Sequence, residues 1–174
     1  MLFRSLAKDD GLDVLHLETR CLSGTAGLYL SAGIHGDEPA APEALLRWAE
    51  KNVRRLAKWP LLIFPCLNPW GLRNNMRTDS QGRDLNRLFH LDTHPVVAAV
   101  RKVTQPHRFK IALAMHEDYD GKGVYLYEVA RGRRGFGDSL LHAAEKFLPR
   151  DPRRKIDGSI AKGGIIRRRI SPAK

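Results

Sequence analysis

Cysteine is nearly missing from this 174-residue chain: Cys21 and Cys66 are the only two. Two thiols cannot staple a small domain, so a disulfide-framed secreted fold is excluded, and both are expected as small buried side chains. Aromatic residues make up only 7% of the chain, and none interleave with its basic runs, which argues against a stacking platform for nucleic acid. No apolar run approaches the roughly 18 residues of a membrane-spanning helix. The opening MLFRSLAKDDGLDVL carries Lys8, Asp9, Asp10 and Asp13 where an export signal needs an unbroken apolar stretch. The expectation is a cytoplasmic protein with no membrane partner. Internal repeats and low-complexity linkers are also lacking, and a 43% hydrophobic, 28% charged composition suits a single globular domain spanning 1–174.

Positive charge is present in excess, a net +11, and its placement matters more than its size. Residues 1–128 hold 17 basic and 15 acidic side chains, whereas residues 129–174 hold 13 and 4. The runs are Arg131, Arg133 and Arg134, then Arg153, Arg154 and Lys155, then Arg167, Arg168 and Arg169. A solvated polar face is the ordinary meaning of such runs, and nonspecific polyanion binding is the sharper one. From 149 to 174 apolar residues are sparse, so this stretch reads as a basic tail of uncertain order.

Short apolar runs alternate with helix-like segments, the pattern of an α/β layer fold. GLYLSAGI at 27–34 reads as a strand ending in HGDE. Pro39 then opens a helix to about Ala57, with Ala41, Leu45, Trp48, Ala49, Asn52, Val53 and Leu56 at mostly helical spacing. A second strand is expected at Leu61–Leu67, ending in NPWG, followed by a long polar stretch from Leu72 to Arg87. Asp92 or Thr93 is placed to cap a short helix carrying Val96, Val97, Val100 and Val103. Ile111–Met115 and Val124–Val129 read as two further strands, and 136–148 as a last helix. The implied architecture is a three-layer α/β/α fold with a mixed, mainly parallel sheet.

Two of these strands run into polar turns that each offer a histidine, and in open α/β sheets ligands gather beyond the carboxyl ends of strands. His35 and Glu38 are three residues apart, and His116 follows the Ile111–Met115 strand. Two imidazoles and one carboxylate are a ligand set for catalytic zinc. HxxE alone carries little weight, since about 0.3 matches arise by chance in such a composition.

The order HxxE (35–38), NPWG (68–71), Arg77, GRDLNR (82–87) and a strand-end histidine (116) resembles the zinc carboxypeptidase family with its relatives, the succinylglutamate desuccinylases and aspartoacylases. The resemblance implies a carboxypeptidase-like fold in which His35, Glu38 and His116 hold one Zn2+. It implies Arg77 as the oxyanion stabiliser, and Asn86 and Arg87 as binders of the substrate's carboxylate. Asp84 and Leu85 are expected to be structural. The implied substrate is a small peptide or an acyl amino acid with a free carboxylate. Carboxypeptidase action comes first, N-acyl amino acid deacylation second, and a catalytically impaired zinc- or polyanion-binding module third.

The resemblance also implies a general-base glutamate on a late strand. Only 58 residues follow His116, with Glu117, Glu128 and Glu145 as their glutamates. Glu128 is a weak candidate and Glu145 is expected to be solvated, so the chain is expected to stop short of the base and of the strand or strands that carry it. Tyr125 and Tyr127 alternate in a strand and are expected to pack rather than touch substrate.

Overall fold

The structure, a computed structural model, describes residues 3–22, 26–91, 93–129 and 135–168. It divides into two compact units, Met1–Glu117 and Asp118–Lys174.

The first unit contains β1 (Arg4–Asp9), β2 (Leu12–Glu18), β3 (Ala26–Ser31), α1 (Ala40–Leu56), β4 (Leu61–Phe64), α2 (Pro69–Asn74), α3 (Pro95–Thr104) and β5 (Arg108–Ala114), with single 3-10 turns at Arg20–Leu22 and Leu85–Arg87. Its five strands form one mixed sheet in the order β1-β2-β4-β3-β5. β3 runs parallel to both β4 and β5, while β2 is antiparallel to β4 and β1 antiparallel to β2.

Every residue of β4 is buried, as a central strand of LLIF with no polar side chain must be. Its alternation supplies both layers. Leu62 and Phe64 meet Val14, Ile34, Val96 and Val100 on the α3 side. Leu61 and Ile63 meet Leu17, Ala32, Ala41, Leu45 and Ala49 on the α1 side. Helices therefore cover both faces of the sheet, as the sequence pattern predicts.

α1 matches the expected helix to within a residue at each end and buries Ala41, Leu45, Ala49 and Leu56, but leaves Val53 half exposed. α3 differs at its start. Its N-cap is His94, which makes no capping bond because its ring is taken by Asp79, 3.0 Å away; Pro95 at the first helical position needs no partner for a missing N–H. Asp92 lies outside the described residues.

The β1–β2 hairpin is not anticipated by the sequence reading above. Its signal is Asp10-Gly11, both at positive φ (47° and 81°), the pair a two-residue hairpin turn demands. Cys21 is exposed and Cys66 partly so, contrary to the expectation of two buried thiols: the Cys21 thiol sits at the rim, 3.4 Å from the Ala57 carbonyl.

In the second unit β6 (Leu126–Val129), α4 (Gly137–Ala144), β7 (Lys155–Ile156), β8 (Ser159–Ile160) and β9 (Ile165–Arg168) follow. β6 and β9 pair in parallel, and β7 and β8 form a hairpin across Asp157-Gly158, again with both residues at positive φ. The expected tail of uncertain order is thus corrected for 150–168. Ile156, Ala161 and Ile166 are buried together with Tyr125 packed on them. Strands of two to four residues are too short to show a period, which is why their isolated isoleucines look unstructured in sequence. Part of the basic charge is neutralised locally: Arg150, Arg153 and Arg167 each pair with carboxylates. Arg131, Arg133, Arg134 and Arg169 lie outside the described residues. Among the described residues no helix is long and apolar enough to cross a membrane.

Phe64 is fully buried at the centre of the α3-side layer. Phe64→Ala should cost about 4 kcal/mol, read as a lower urea midpoint for loss of far-UV ellipticity.

Candidate metal centre

The three adjacent parallel strands β4, β3 and β5 deliver their carboxyl ends to one edge of the sheet, and the three motif-bearing turns start there. Ser31 is level with Phe64 on one side and Ala114 on the other. Pairing continues past the strands: Met115 N–H donates to the Ser31 carbonyl (2.9 Å), and Leu67 and Asn68 N–H donate to the Ala32 and Gly33 carbonyls (3.1 and 2.8 Å). HGDE, NPWG and the turn after β5 are thus brought side by side by backbone bonds that extend the sheet pairing.

Gly36 shows how tightly. A Cβ there would overlap the backbone of Gly71 and Leu72, so the glycine of HGDE and the glycine of NPWG let two main chains touch.

Within this edge His35 Nδ1 lies 2.6 Å from Glu38 Oε1, and His116 Nδ1 lies 2.9 Å from Glu38 Oε2. One donor atom from each of the three falls within 4.8 Å of the others. Burial would raise the Glu38 pKa, but the bonds from His116, His35 and the Glu117 N–H outweigh it and bring the carboxyl down to about 2. A carboxylate ionised throughout the physiological range and two imidazoles aimed at one point fit a divalent metal. His35 Nε2 is buried without a hydrogen-bond partner, 3.3 Å from Asp84 Oδ1. A carboxylate beside the second ring nitrogen of a histidine is the usual means of orienting an imidazole toward a metal.

Arg77 reaches the same place. Its Nε and a terminal nitrogen each lie 3.3 Å from Asp84 Oδ2, and its other terminal nitrogen lies 3.8 Å from Glu38 Oε1. Asn86 and His116 line a cavity of about 190 Å3 whose other walls include Tyr29, Ile34, Phe89 and Met115. Arg87 is mostly exposed, its Nε 4.0 Å from Asp84 Oδ2. Leu85 is buried in the core, as expected. Asp84 does more than the structural part expected of it, because it touches His35 and Arg77 as well as capping the turn at Asn86. Glu128 has both oxygens committed within its own unit, Oε1 accepting from the Gly137 N–H at 2.7 Å and Oε2 from Arg167 at 3.1 Å. These contacts tie the end of β6 to the start of α4 and to β9. Tyr125 packs on the small core of its unit and Tyr127 donates to Asp157.

The sequence profile of the succinylglutamate desuccinylase/aspartoacylase catalytic domain matches residues 25–133. The chain belongs to this family. A search of curated proteins returned no match. Among solved structures, a candidate metallopeptidase from Shewanella denitrificans has a TM-score of 0.83 at 22% identity, over 98% of this chain and 67% of its own. A metallo-carboxypeptidase from Burkholderia cenocepacia has a TM-score of 0.55 at 24% identity, over 74% and 39%. The murein-tripeptide amidase MpaA from Escherichia coli O157 has a TM-score of 0.57 at 18% identity, over 70% and 62%. These likenesses establish a carboxypeptidase-like α/β fold for this desuccinylase/aspartoacylase family member.

Asn68 belongs to NPWG but its part in the site is not evident from the motif, and Asp79 and His94 lie outside the motifs. Asn68, fully buried, accepts from the Gly71 N–H through Oδ1 (2.8 Å) and donates through Nδ2 to the Thr78 and Arg77 carbonyls (3.0 and 3.4 Å). It ties the NPWG turn to the backbone that carries Arg77. Asp79 and His94 close the loop from behind. Asp79 accepts from the Gln81 and Arg83 N–H groups, the Arg83 guanidinium and His94 Nε2. Asn and Asp at loop positions are the signal that the sequence offers for Asn68 and Asp79, since both side chains readily bond nearby backbone.

Burial opposes ionisation of Asp79, yet the bonds from Arg83, His94 and Gln81 hold its pKa below the usual 3.8. A lowered carboxyl pKa contributes stability that is complete above the unfolded value and is lost as pH falls through the folded one. Asp79→Ala should therefore cost about 2 kcal/mol at pH 7. The gap to wild type should narrow below about pH 4, read from urea midpoints at both pH values.

Proposed function

We propose that this chain is a zinc-dependent hydrolase of an amide bond next to a free carboxylate. The convergence of His35, Glu38 and His116 within 4.8 Å carries this reading, since two histidines and a glutamate are a set that holds catalytic zinc with a position left open. When bound there, zinc polarises the carbonyl and lowers the pKa of bound water.

The chain's own residues would bind the substrate and meet its developing charge. Arg77, held by Asp84 and directed past Glu38, sits where a donor can meet negative charge growing on the carbonyl oxygen. Arg87, exposed at the end of the same loop, offers a guanidinium fork to the substrate's carboxylate. Asn86 orients the substrate at the mouth of the cavity beside His116. That cavity is lined largely by apolar side chains, which favours expelling water from around the scissile bond.

A small peptide cleaved at its carboxyl end is the first substrate reading, supported by the likeness in fold to a metallo-carboxypeptidase and a murein-tripeptide amidase. Deacylation of an N-acyl amino acid is the second, favoured by the matching family. Both need the same recognition of a carboxylate beside an amide. They differ in what lies on the acyl side.

Zinc content, product release and the kinetics of one variant test this. Elemental analysis should find one zinc per chain in wild type and a large loss in His35→Ala; equal zinc in both removes His35 from the ligands. Release assays should cleave peptides with free but not amidated carboxyl ends, or else N-acyl amino acids. One zinc with no release from any of them would favour a noncatalytic binding module, and binding of heparin at low salt would then support a polyanion partner. In an active preparation Arg87→Ala should raise KM about tenfold or more with little change in kcat; an unchanged KM would remove the carboxylate role.

A further inference from the structure

We propose that Glu117 is a positioning residue for the metal centre, and that its side chain sets the geometry of Glu38 and His116 without touching the metal. This rests on the zinc reading above.

Two hydrogen bonds run in opposite directions between the turn after β5 and the start of α1. The Glu117 N–H donates to Glu38 Oε2 at 3.1 Å. The Glu117 carboxylate accepts from the Ala40 N–H at 2.6 Å. The arrangement is a capping box built across the sheet: one residue's backbone serves the other segment's side chain, and its side chain serves that segment's backbone. In an ordinary capping box the partners are three residues apart; here they are separated by 77 and 79.

The need for it follows from how α1 begins. Pro39 stands at the N-cap and provides no side-chain bond. The first N–H groups of any helix lack partners within it, and Ala40 is the first residue of α1. A carboxylate there is also favoured by the helix dipole. The Glu117 side chain therefore fills a place that the local sequence leaves open, and in doing so ties the turn that carries His116 to the segment that carries Glu38. Glu38 is two residues before Ala40 and His116 immediately precedes Glu117, so one side-chain bond restrains a ligand from each segment.

The backbone bond to Glu38 sharpens the consequence. Oε2 of Glu38 is approached by both His116 Nδ1 and the Glu117 N–H. The second donor fixes which way the carboxylate plane faces, and it is in place only while the Glu117 backbone is held. Partners of this outer kind typically affect metal affinity by about 10- to 100-fold.

The test measures zinc affinity by competition with a chelating dye in the whole chain, alongside thermal midpoints with and without metal. Glu117→Ala should bind zinc about tenfold more weakly, while Glu117→Gln, whose amide oxygen can still accept from Ala40, should stay within about threefold of wild type. The metal-free midpoint should fall slightly in Glu117→Ala, by the one capping bond it loses, and stay near wild type in Glu117→Gln; the stabilisation added by zinc should fall further in Glu117→Ala, over and above that loss. Zinc bound equally tightly by wild type and Glu117→Ala would overturn the positioning role alone. A wild type that takes up no more zinc than His35→Ala would overturn the metal reading and this inference together. An equal loss in Glu117→Gln and Glu117→Ala would overturn the capping bond as the cause.

Discussion

Glu38 is a carboxylate kept almost out of water, and the cost of desolvating it is offset by three donors that come from two different strand ends. His35 approaches one oxygen, and His116 and the Glu117 N–H approach the other. His35 comes from the same turn as Glu38, but His116 and the Glu117 N–H can be in place only if β3 and β5 lie next to each other, parallel and in the observed register. The buried charge and the sheet topology are thus mutually dependent: the strands bring the donors, and the carboxylate makes the donors worth bringing. A carboxylate held ionised in this way is also what a metal requires of a ligand.

The surrounding structure keeps that edge of the sheet narrow. Gly36 and Gly71 permit two backbones to meet, and Asn68 uses every polar atom of its amide side chain to join NPWG to the segment at Arg77. Asp79 then gathers donors from its own loop and from the start of α3. Each of these groups spends a buried hydrogen bond on loop backbone rather than on regular structure. Loops between residues 68 and 87 would otherwise be free to move, and Arg77 and Asp84 are useful only if their distance to Glu38 and His35 is fixed.

The second unit is organised by different physics. Its apolar content is small, and carboxylates take over part of the work of fixing its turns. Asp151 is buried and accepts from the Lys122 N–H and from the Arg153 backbone and guanidinium, which hold its pKa far below the usual carboxylate range. Arg167 and Gly137 share Glu128. The arginine-rich composition that looks like an interaction surface in sequence is in part internal pairing, and the exposed remainder includes Arg154 and Lys155. Net charge describes a chain, but only the fold assigns each charge a partner.

By itself the sequence determined the alternation of strands and helices, the buried face of α1, and the five ordered motif elements, because periodicity and short-range spacing are local properties. It also contains the two Asp-Gly pairs, but whether each turns a hairpin depends on flanking strands too short or too mixed to show a period. The tertiary structure decided what lies across the sheet: that Asp84 stands behind His35, that Glu128 is spent on Gly137 and Arg167, that Asn68 and Asp79 hold the loop, and that Glu117 caps a helix 77 residues earlier. These are pairings between segments far apart in the chain. No spacing rule encodes them, since which side chain meets which buried donor is settled only when the strands take their order and register.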